Sequence, residues 1–418
     1  MDKTVITPSG VQGTITAPSS KSDMLRAVAA AYLTRKQCEI VHPSYCEDAL
    51  AAFRIVEAFG VQIRRTAERV VFVPAGRQIA SVLDCGESGL CARMFPSVAA
   101  LGKEQKTLTG HGSLLSRPMD MIEQPLRDLG VQCQTKNGLL PVLVQGPLRA
   151  GRTTVDASTS SQFLTGLLMA LPLCEGASEV VVPELKSRPY VEMTLNVLAA
   201  FGIAIAHEQF HRFFIQGSQT YKAVTYHVEG DWSGASCPLV AGAIAGKVRV
   251  ENLRYDSSQA DTMILQALQR SGADLDIGDD YVEVRQRPLV GFEFDATDCP
   301  DIFPALVALA SYCRGKSVIY GAQRLTVKES DRGTALLTEF RKMGASIELY
   351  PDRMEIIGEI PLDGGTVESY HDHRIAMACA VAGLRSKHGV TIQNSACVAK
   401  SYPDFFDDLS VLSVQDLL

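Results

Sequence analysis

Charged and hydroxyl side chains recur in short polar loops that precede apolar stretches of this sequence. Lys21 and Arg26 stand at the first such stretch, and Lys328, Glu329 and Arg332 stand at a later one. Lysine and arginine bind phosphate and carboxylate groups, arginine through a planar fork of donors. A carboxylate held among cations can act as an acid or a base, with its protonation tuned by those neighbours. These residues therefore indicate anion binding combined with proton transfer, although Lys328 to Arg332 also fits a solvated, capped helix start.

The loops belong to a repeated unit. Its starts, at Ile15, Leu83, Val155, Val228, Phe294 and Val367, lie between 66 and 73 residues apart. A steady period indicates copies of one supersecondary unit. The pattern within each copy predicts the order βαβαββ, with second strands such as Cys38–Val41 and Lys316–Tyr320. Glycine is expected to cap the second helix of the copies, at Gly60, Gly130, Gly202, Gly272 and Gly344.

Polar residues gather at the two helix-starting loops of each copy. The first loops carry Lys21, Ser22, Ser88, Gly89, Ser160, Ser161, Gln162, Ser233, Gly234, Asp301, His373 and Arg374. The second loops carry Asp48, Arg117, Ser187, Asp256, Lys328 and Lys400. Helix N-termini offer unpaired N–H groups and a partial positive charge, so several of them together predict an anion site. Independent repeats without a shared site are the alternative.

Composition excludes several classes of protein. The chain has 418 residues, of which 46% are hydrophobic and 21% charged, and a formal net charge of −7. The negative charge argues against general nucleic-acid binding, and no apolar run has the ~20 residues that span a bilayer. The N-terminus does not read as a signal peptide. Eleven irregularly spaced cysteines indicate buried thiols in the cytoplasm more than disulfides or zinc.

Six units divide into two domains of three. We expect one domain at residues 19–228 and a second formed by residues 1–18 and 229–418, with the first strand pairing back to the later half. A hinge is then expected near 18–20 and 228–232. His371 and His373 flank Asp372, but alternate loop residues point apart, so a metal site is disfavoured.

Motifs from five of the six units together resemble the 5-enolpyruvylshikimate-3-phosphate (EPSP) synthase family. They are Lys21-Ser22, Arg117-Pro118-Met119, Ser160-Ser161-Gln162-Phe163, Lys328-Glu329-Ser330-Asp331-Arg332, Asp372-His373-Arg374 and Lys400-Ser401-Tyr402-Pro403-Asp404. The resemblance implies the α/β two-domain enolpyruvyl transferase fold, in which six βαβαββ units, three per domain, form an inside-out α/β barrel-like arrangement. It also implies that the domains close around the site from opposite sides.

The resemblance further implies a reaction of the shikimate pathway, which leads to chorismate and the aromatic amino acids. The enolpyruvyl group of phosphoenolpyruvate passes to the 5-hydroxyl of shikimate 3-phosphate, and phosphate leaves, with no metal or organic cofactor. By motif position, the shikimate 3-phosphate contacts are Lys21, Ser22, Arg26, Ser160, Ser161, Ser187, Asp301 and Lys328. The phosphoenolpyruvate contacts are Lys21, Gly89, Arg117, Gln162, Arg332, Arg374 and Lys400. We expect a cytoplasmic monomer with no nucleic-acid or membrane partner.

The implied chemistry assigns roles to three residues. Asp301 is expected to face the 5-hydroxyl, and Glu329, with Lys21, to protonate and later deprotonate the methylene carbon. The two substrates bring a charge of about −6, because each carries a carboxylate and a phosphate of roughly −2. Seven cations can balance this charge: Lys21, Arg26, Arg117, Lys328, Arg332, Arg374 and Lys400.

Three positions depart from the family pattern, namely Met24, Glu87 and Leu90. Glu87 is expected to lie close to the phosphoenolpyruvate anion and to weaken its binding unless Arg93 or another cation pairs with it. Glyphosate is expected to compete in that site. Two alternatives remain: a catalytically silent anion-binding relative, and the enolpyruvyl transferase that acts on UDP-N-acetylglucosamine. The second is disfavoured because the stretch before Arg117 lacks that family's cysteine.

Overall fold

The computed structural model describes residues 2–75, 80–358 and 361–414. The chain divides into two compact units. The continuous unit is Lys21–Val228, and the two-segment unit consists of Met1–Ser20 and Glu229–Leu418. The predicted hinge stays a prediction. Within the described ranges, no helix is both long and apolar enough to cross a membrane.

The part of the chain that is described contains twelve α-helices. They are α1 Lys21–Leu33, α2 Glu47–Ala58, α3 Gly89–Ala99, α4 Glu123–Asp128, α5 Gln162–Ala170, α6 Arg188–Ala200, α7 Trp232–Ala245, α8 Ile264–Ser271, α9 Phe303–Ala310, α10 Arg332–Lys342, α11 His373–Gly383 and α12 Phe405–Leu412. Short 3-10 helices cover Gly112–Ser116, Asp120–Ile122, Leu171–Leu173, Ala260–Met263, Ala322–Arg324 and Ser395–Lys400.

Twenty-four strands lie in the same described ranges. They are β1 Lys3–Ile6, β2 Gly10–Thr16, β3 Cys38–Val41, β4 Val61–Arg65, β5 Arg69–Pro74, β6 Val82–Asp84, β7 Gln105–Thr109, β8 Gln132–Lys136, β9 Leu139–Gln145, β10 Arg152–Thr154, β11 Ser178–Val181, β12 Ala206–Glu208, β13 Arg212–Ile215, β14 Thr225–His227, β15 Gly246–Glu251, β16 Asp274–Ile277, β17 Tyr281–Arg285, β18 Glu293–Asp295, β19 Lys316–Tyr320, β20 Ser346–Leu349, β21 Arg353–Ile357, β22 Gly365–Glu368, β23 Val390–Gln393 and β24 Ser413–Val414.

These strands form six open sheets, three in each unit, and the described strands close no barrel. The sheets of the continuous unit have the orders β14-β3-β5-β4, β6-β7-β9-β8 and β10-β11-β13-β12. Those of the two-segment unit are β16-β17-β15-β2-β24, β18-β19-β21-β20 and β1-β23-β22. Each sheet contains one parallel pair, such as β18 with β19, and its other pairs are antiparallel. The order βαβαββ runs without interruption through the sheets β6-β7-β9-β8, β10-β11-β13-β12 and β18-β19-β21-β20, whereas each of the other three sheets includes a strand from a distant part of the chain.

Apolar helices form the core of each unit. In the two-segment unit, α7, α9 and α11 are buried along their whole lengths. In the continuous unit, α3 is buried throughout and α5 is buried except at Gln162. A helix that is apolar all round must be enclosed by other elements. The polar first residues of these helices therefore lie at the ends of a buried helical layer.

Several predictions are confirmed. The second strands are β3 and β19, with the predicted bounds. The first strand pairs back with the later half, since β2 runs parallel to β15. All five predicted cap glycines have φ between +79° and +90°, a region that favours glycine.

Two local predictions are wrong. Ile203 does not begin a strand, because its N–H bonds to Leu198 O at 2.9 Å and completes the end of α6. The strand, β12, begins only at Ala206. Pro118 does not begin an α-helix either. It follows a 3-10 helix that ends at Ser116, and α4 starts at Glu123.

Candidate active site

The candidate residues of the continuous unit stand mostly at helix starts. Lys21 opens α1, Gly89 opens α3 and Gln162 opens α5, while Ser187 precedes α6. The free N–H groups of these first turns favour anions. Arg117 differs, because it follows the end of the 3-10 helix Gly112–Ser116.

Two cations of α1 have different surroundings. Lys21 Nζ lies 3.2 Å from Asp48 Oδ2, and its side chain is 17% exposed. Arg26 is fully buried and donates to Thr194 Oγ1 at 2.8 Å, Ser22 O at 2.7 Å and Tyr190 O at 3.1 Å. Burial lowers the pKa of Arg26 to about 10. Arg26 thus ties α1 to α6, whereas Lys21 is the more accessible charge.

The three predicted phosphoenolpyruvate contacts near α3 lie together. A Cβ atom on Gly89 would lie 2.6 Å from Arg117 Nη1, so only glycine leaves room for this guanidinium. Gln162 Oε1 accepts a hydrogen bond from Arg93 Nη1 at 2.9 Å. Arg93 also donates to Pro118 O at 3.2 Å, next to Arg117 in the chain. Arg93 therefore connects the starts of α3 and α5 to the Arg117 loop.

Glu87 contacts the loop that leads to Arg117. Its Oε2 accepts from Ser113 N at 3.1 Å and from Ser113 Oγ at 3.0 Å. His111 Nδ1 lies 4.0 Å from Glu87 Oε1. The carboxylate covers Gly112, where a Cβ atom would come within 2.3 Å of it. These contacts indicate that Glu87 braces the loop around Ser113.

The serine-rich loops combine polar groups with an unusual backbone. Ser160 Oγ accepts from Gln162 N at 3.3 Å. Ser161 precedes α5 without a side-chain capping bond, so its hydroxyl is not used to cap this helix. Ser187 has φ of 55° and ψ of 46°, a left-handed conformation that costs a non-glycine residue free energy and often marks a functional position.

In the two-segment unit, Arg332 is bonded to three carboxylates. Nη1 donates to Asp301 Oδ1 at 2.7 Å, Nη2 to Glu329 Oε2 at 2.6 Å, and Nε to Asp372 Oδ2 at 2.8 Å. Only 1% of the Arg332 side chain is exposed. Such charge-assisted bonds are strong and directional. Both acids that the sequence analysis assigned to proton transfer, Asp301 and Glu329, therefore share one buried guanidinium.

The ionisation of Asp301 and Lys328 follows from their surroundings. Lys328 Nζ lies 3.1 Å from Asp301 Oδ1. Burial alone would raise the pKa of Asp301, but Lys328, Arg332 and Arg374 outweigh it and hold this pKa well below 3.8. Burial lowers the pKa of Lys328, with Asp301 opposing the shift. Asp301 is accordingly an ionised hydrogen-bond acceptor in this state.

Arg374 and Lys400 are two further buried cations of this unit, with 3% and 2% exposure. Arg374 lies in the first turn of α11, where Asp372 caps the helix by accepting from Arg374 N at 3.0 Å. Its Nη1 donates to Ser233 O at 2.6 Å and its Nη2 to Ser233 Oγ. Lys400 is the last residue of the 3-10 helix Ser395–Lys400 and does not begin an α-helix. His373 is buried and His371 exposed.

Three residues of the site, Asp372, Ser233 and Arg93, were not predicted as substrate contacts. Asp372 lies 40 residues from Arg332, and Ser233 lies 141 residues from Arg374. Only the repeat register could have related them, because each stands in a helix-starting loop or in the first turn after it. Arg93 lies one turn beyond Gly89 in an apolar helix, where a buried arginine is itself a signal.

Six βαβαββ units with acids and cations at their helix starts define an α/β transferase of the enolpyruvyl type. The family model for EPSP synthase (3-phosphoshikimate 1-carboxyvinyltransferase) matches residues 5–409. This chain belongs to the EPSP synthase family.

Similar sequences are named 3-phosphoshikimate 1-carboxyvinyltransferase. A 3-phosphoshikimate 1-carboxyvinyltransferase of Clostridium novyi is 36% identical over 98% of this chain and 97% of its own length. The protein of the same name from Pyrococcus abyssi is 38% identical over 96% of this chain and 94% of its own length.

Solved structures of enolpyruvyl transferases are similar to the structure of this chain. EPSP synthase from Acinetobacter baumannii matches with a TM-score of 0.84 and 28% identity, covering 99% of this chain and 98% of its own. The enolpyruvyl transferase NikO from Streptomyces tendae matches with a TM-score of 0.78, covering 98% of this chain and 96% of its own. Its sequence identity is 17%, so this match supports the fold alone.

Proposed function

We propose that this chain transfers the enolpyruvyl group of phosphoenolpyruvate to the 5-hydroxyl of shikimate 3-phosphate and releases phosphate. The observation that carries the proposal is the Arg332 cluster, in which a buried guanidinium is bonded to Asp301 and Glu329 at 2.7 and 2.6 Å. Membership of the family, with full-length relatives named for this activity, supports it. The cluster supplies both a charge to bind an anion and acids to move protons.

The residues proposed to bind substrates come from both units. For shikimate 3-phosphate they are Lys21, Ser22, Arg26, Ser160, Ser161, Ser187, Asp301 and Lys328, and for phosphoenolpyruvate Lys21, Gly89, Arg117, Gln162, Arg332, Arg374 and Lys400. Support comes from the positions of several of them at helix starts and from the room that Gly89 leaves for Arg117. Arg26 and Arg332 have less freedom than the others, because Nε, Nη1 and Nη2 of each already donate to protein acceptors.

Substrate binding would change the basicity of Asp301. Its low pKa depends on Lys328, Arg332 and Arg374. Substrate anions that bind these cations offset their charge, so the pKa of Asp301 rises toward its ordinary value. The carboxylate then becomes a better acceptor for the 5-hydroxyl proton as the oxygen attacks C2 of phosphoenolpyruvate.

The second proton is proposed to move between Glu329 and the methylene carbon, with Lys21 assisting. Addition forms a C–O bond at C2 and places a proton on C3. Elimination then removes a proton from C3 and breaks the C–O bond to phosphate. Glu329 is half of a 2.6 Å ion pair with Arg332, so an anion that binds Arg332 would weaken that pair and let the carboxylate take up from solvent the proton that it then gives to C3. The cations would stabilise charge on the leaving phosphate.

The test is phosphate release by the purified protein supplied with both substrates. Glu329→Gln keeps the shape of the side chain and removes the acid, so kcat should fall about 10²- to 10⁴-fold, as for a lost general acid–base group. Glu348→Gln, at an exposed position in β20, is the matched control and should retain wild-type kcat. Near-full turnover by Glu329→Gln would refute the role of Glu329.

We further propose a cytoplasmic monomer that needs neither metal nor organic cofactor. All eleven cysteines are free thiols, and ten of them are buried, as suits a reducing compartment. Light scattering after size-exclusion chromatography should give about the chain mass of 45.2 kDa. A mass of twice that value would contradict the monomer.

A further inference from the structure

Glu339 is a buried carboxylate that the proposed mechanism does not use. It lies in α10, two turns after Arg332 and on the same face of the helix, and its side chain is fully buried. The Tyr370 hydroxyl donates to Oε1 at 2.6 Å, and the Glu368 N–H donates to Oε2 at 3.0 Å. Lys342 Nζ lies 2.9 Å from both oxygens. A buried charge needs such partners, and two of them belong to the segment before α11.

That segment turns through an uncommon backbone conformation. Tyr370 and His371 have φ of 55° and 54°, in the left-handed region that costs residues with large side chains free energy. Glu368 Oε1 accepts from Tyr370 N at 3.2 Å, and Ser369 Oγ accepts from His371 N at 3.2 Å. A turn of this kind persists only where its surroundings hold it. The bond from the Tyr370 hydroxyl to Glu339 holds it from α10.

The turn ends at Asp372, which orients Arg332. Asp372 is fully buried and accepts from Arg332 Nε at 2.8 Å and from Nη2 at 3.3 Å. This two-point contact fixes the plane of the guanidinium. Together with the bonds to Asp301 and Glu329, it occupies four of the five N–H groups of an arginine side chain. The fifth, on Nη1, has no acceptor among the residues that the structure describes, so its direction decides how Arg332 meets a ligand anion.

We propose that Glu339 is a positioning residue for Arg332: through Tyr370 it holds the left-handed turn that sets Asp372 against the guanidinium, and so directs the remaining N–H toward phosphoenolpyruvate. The inference rests on the proposed function, in which Arg332 contacts that substrate. The helix α10 is joined to the turn at two places, by Arg332 to Asp372 and by Glu339 to Tyr370. Loss of the second attachment lets the turn relax and weakens the contact with phosphoenolpyruvate. Shikimate 3-phosphate, whose proposed contacts do not include Arg332, is affected less.

The first test uses Tyr370→Phe, which removes the hydroxyl and keeps the ring. The KM for phosphoenolpyruvate should rise about three- to tenfold, as for one lost hydrogen bond, while the KM for shikimate 3-phosphate changes less than about twofold. Tyr350→Phe is the matched control and should follow wild type, because the Tyr350 hydroxyl is also bonded to a glutamate, Glu348, at 2.5 Å, between β20 and β21. A KM does not depend on the amount of folded enzyme, so lower stability alone would leave it unchanged.

Two variants of Glu339 test the same attachment from the helix. Glu339→Gln keeps an oxygen for the Glu368 N–H, and its amide can donate to the Tyr370 oxygen. Glu339→Leu offers neither group. The KM for phosphoenolpyruvate should therefore rise less in Glu339→Gln than in Glu339→Leu. Because Glu339→Leu leaves a buried N–H unpaired and can fail to fold, Tyr370→Phe is the decisive variant.

The inference would be overturned by an unchanged KM for phosphoenolpyruvate in Tyr370→Phe, even with a lower melting temperature, because Glu339 would then have a merely structural role. An equal rise of the KM for both substrates would overturn it as well, as would equal KM values in active Glu339→Gln and Glu339→Leu. Absence of turnover by wild type is a different result: it would refute the proposed function, and this inference with it.

Discussion

At the scale of single residues, the proposed binding of phosphoenolpyruvate depends on where guanidinium groups are held. Arg117 occupies the space beside Gly89 that a side chain would take. Arg332 and Arg374 are held by acids and by Ser233. Glu87, which the sequence analysis placed near the substrate anion, accepts two hydrogen bonds from Ser113. Its contacts favour a bracing role for the loop before Arg117 over a repulsive one.

Gly89→Ala should impair binding of phosphoenolpyruvate. The added Cβ would lie 2.6 Å from Arg117 Nη1 and displace it. Loss of a hydrogen bond to a charged group costs about 1.5–3 kcal/mol, so the KM for phosphoenolpyruvate should rise about 10- to 100-fold. Steady-state kinetics measures this. Gly102→Ala is the control, because the nearest atom to its Cβ is 3.7 Å away. Equal KM values for the two variants would show that Arg117 does not need this space.

At the scale of elements, helix starts carry the candidate groups, so their caps matter for both stability and position. Asp331 caps α10, which begins with Arg332. It accepts from Thr334 N at 3.2 Å and from Thr334 Oγ1 at 2.8 Å. Asp231 caps α7 in the same way, accepting from Gly234 N at 3.0 Å. Each cap satisfies a backbone donor that the first turn leaves unpaired.

Asp331→Ala should destabilise the two-segment unit by about 0.5–2 kcal/mol, the usual cost of losing an N-cap. Urea unfolding followed by circular dichroism measures the midpoint. Asp331→Asn keeps a capping oxygen and should stay within a few tenths of a kcal/mol of wild type. If alanine and asparagine gave the same midpoint, the cap would contribute nothing.

At the scale of the whole molecule, the sequence predicts the repeat better than it predicts the site. Period, glycine caps and strands such as β19 follow from local patterning, and they were correct. The strand expected at Ile203 was wrong because the helix end decided it: the N–H of this buried residue bonds to Leu198 O and completes the end of α6 in place of a strand pairing. The Arg332–Asp372 and Arg374–Ser233 pairs join distant segments, and only folding in three dimensions brings these together.

The two units should differ when expressed separately. Residues 21–228 contain every strand of their three sheets and should unfold cooperatively. Residues 229–418 lack β1 and also β2, which lies between β15 and β24, so they should not fold alone. A fusion that joins residues 1–20 to residues 229–418 should restore a cooperative thermal transition. A stable fragment 229–418 without the first segment would show that β2 is dispensable.

The central claim is that this protein joins the two substrates with loss of phosphate. The most direct measurement supplies shikimate 3-phosphate and phosphoenolpyruvate together and each alone, records phosphate release, and identifies the product by mass spectrometry. The account predicts phosphate only with both substrates, and one enolpyruvyl ether formed for each phosphate. No phosphate release, despite binding of shikimate 3-phosphate, would contradict it and would indicate a catalytically silent anion-binding relative.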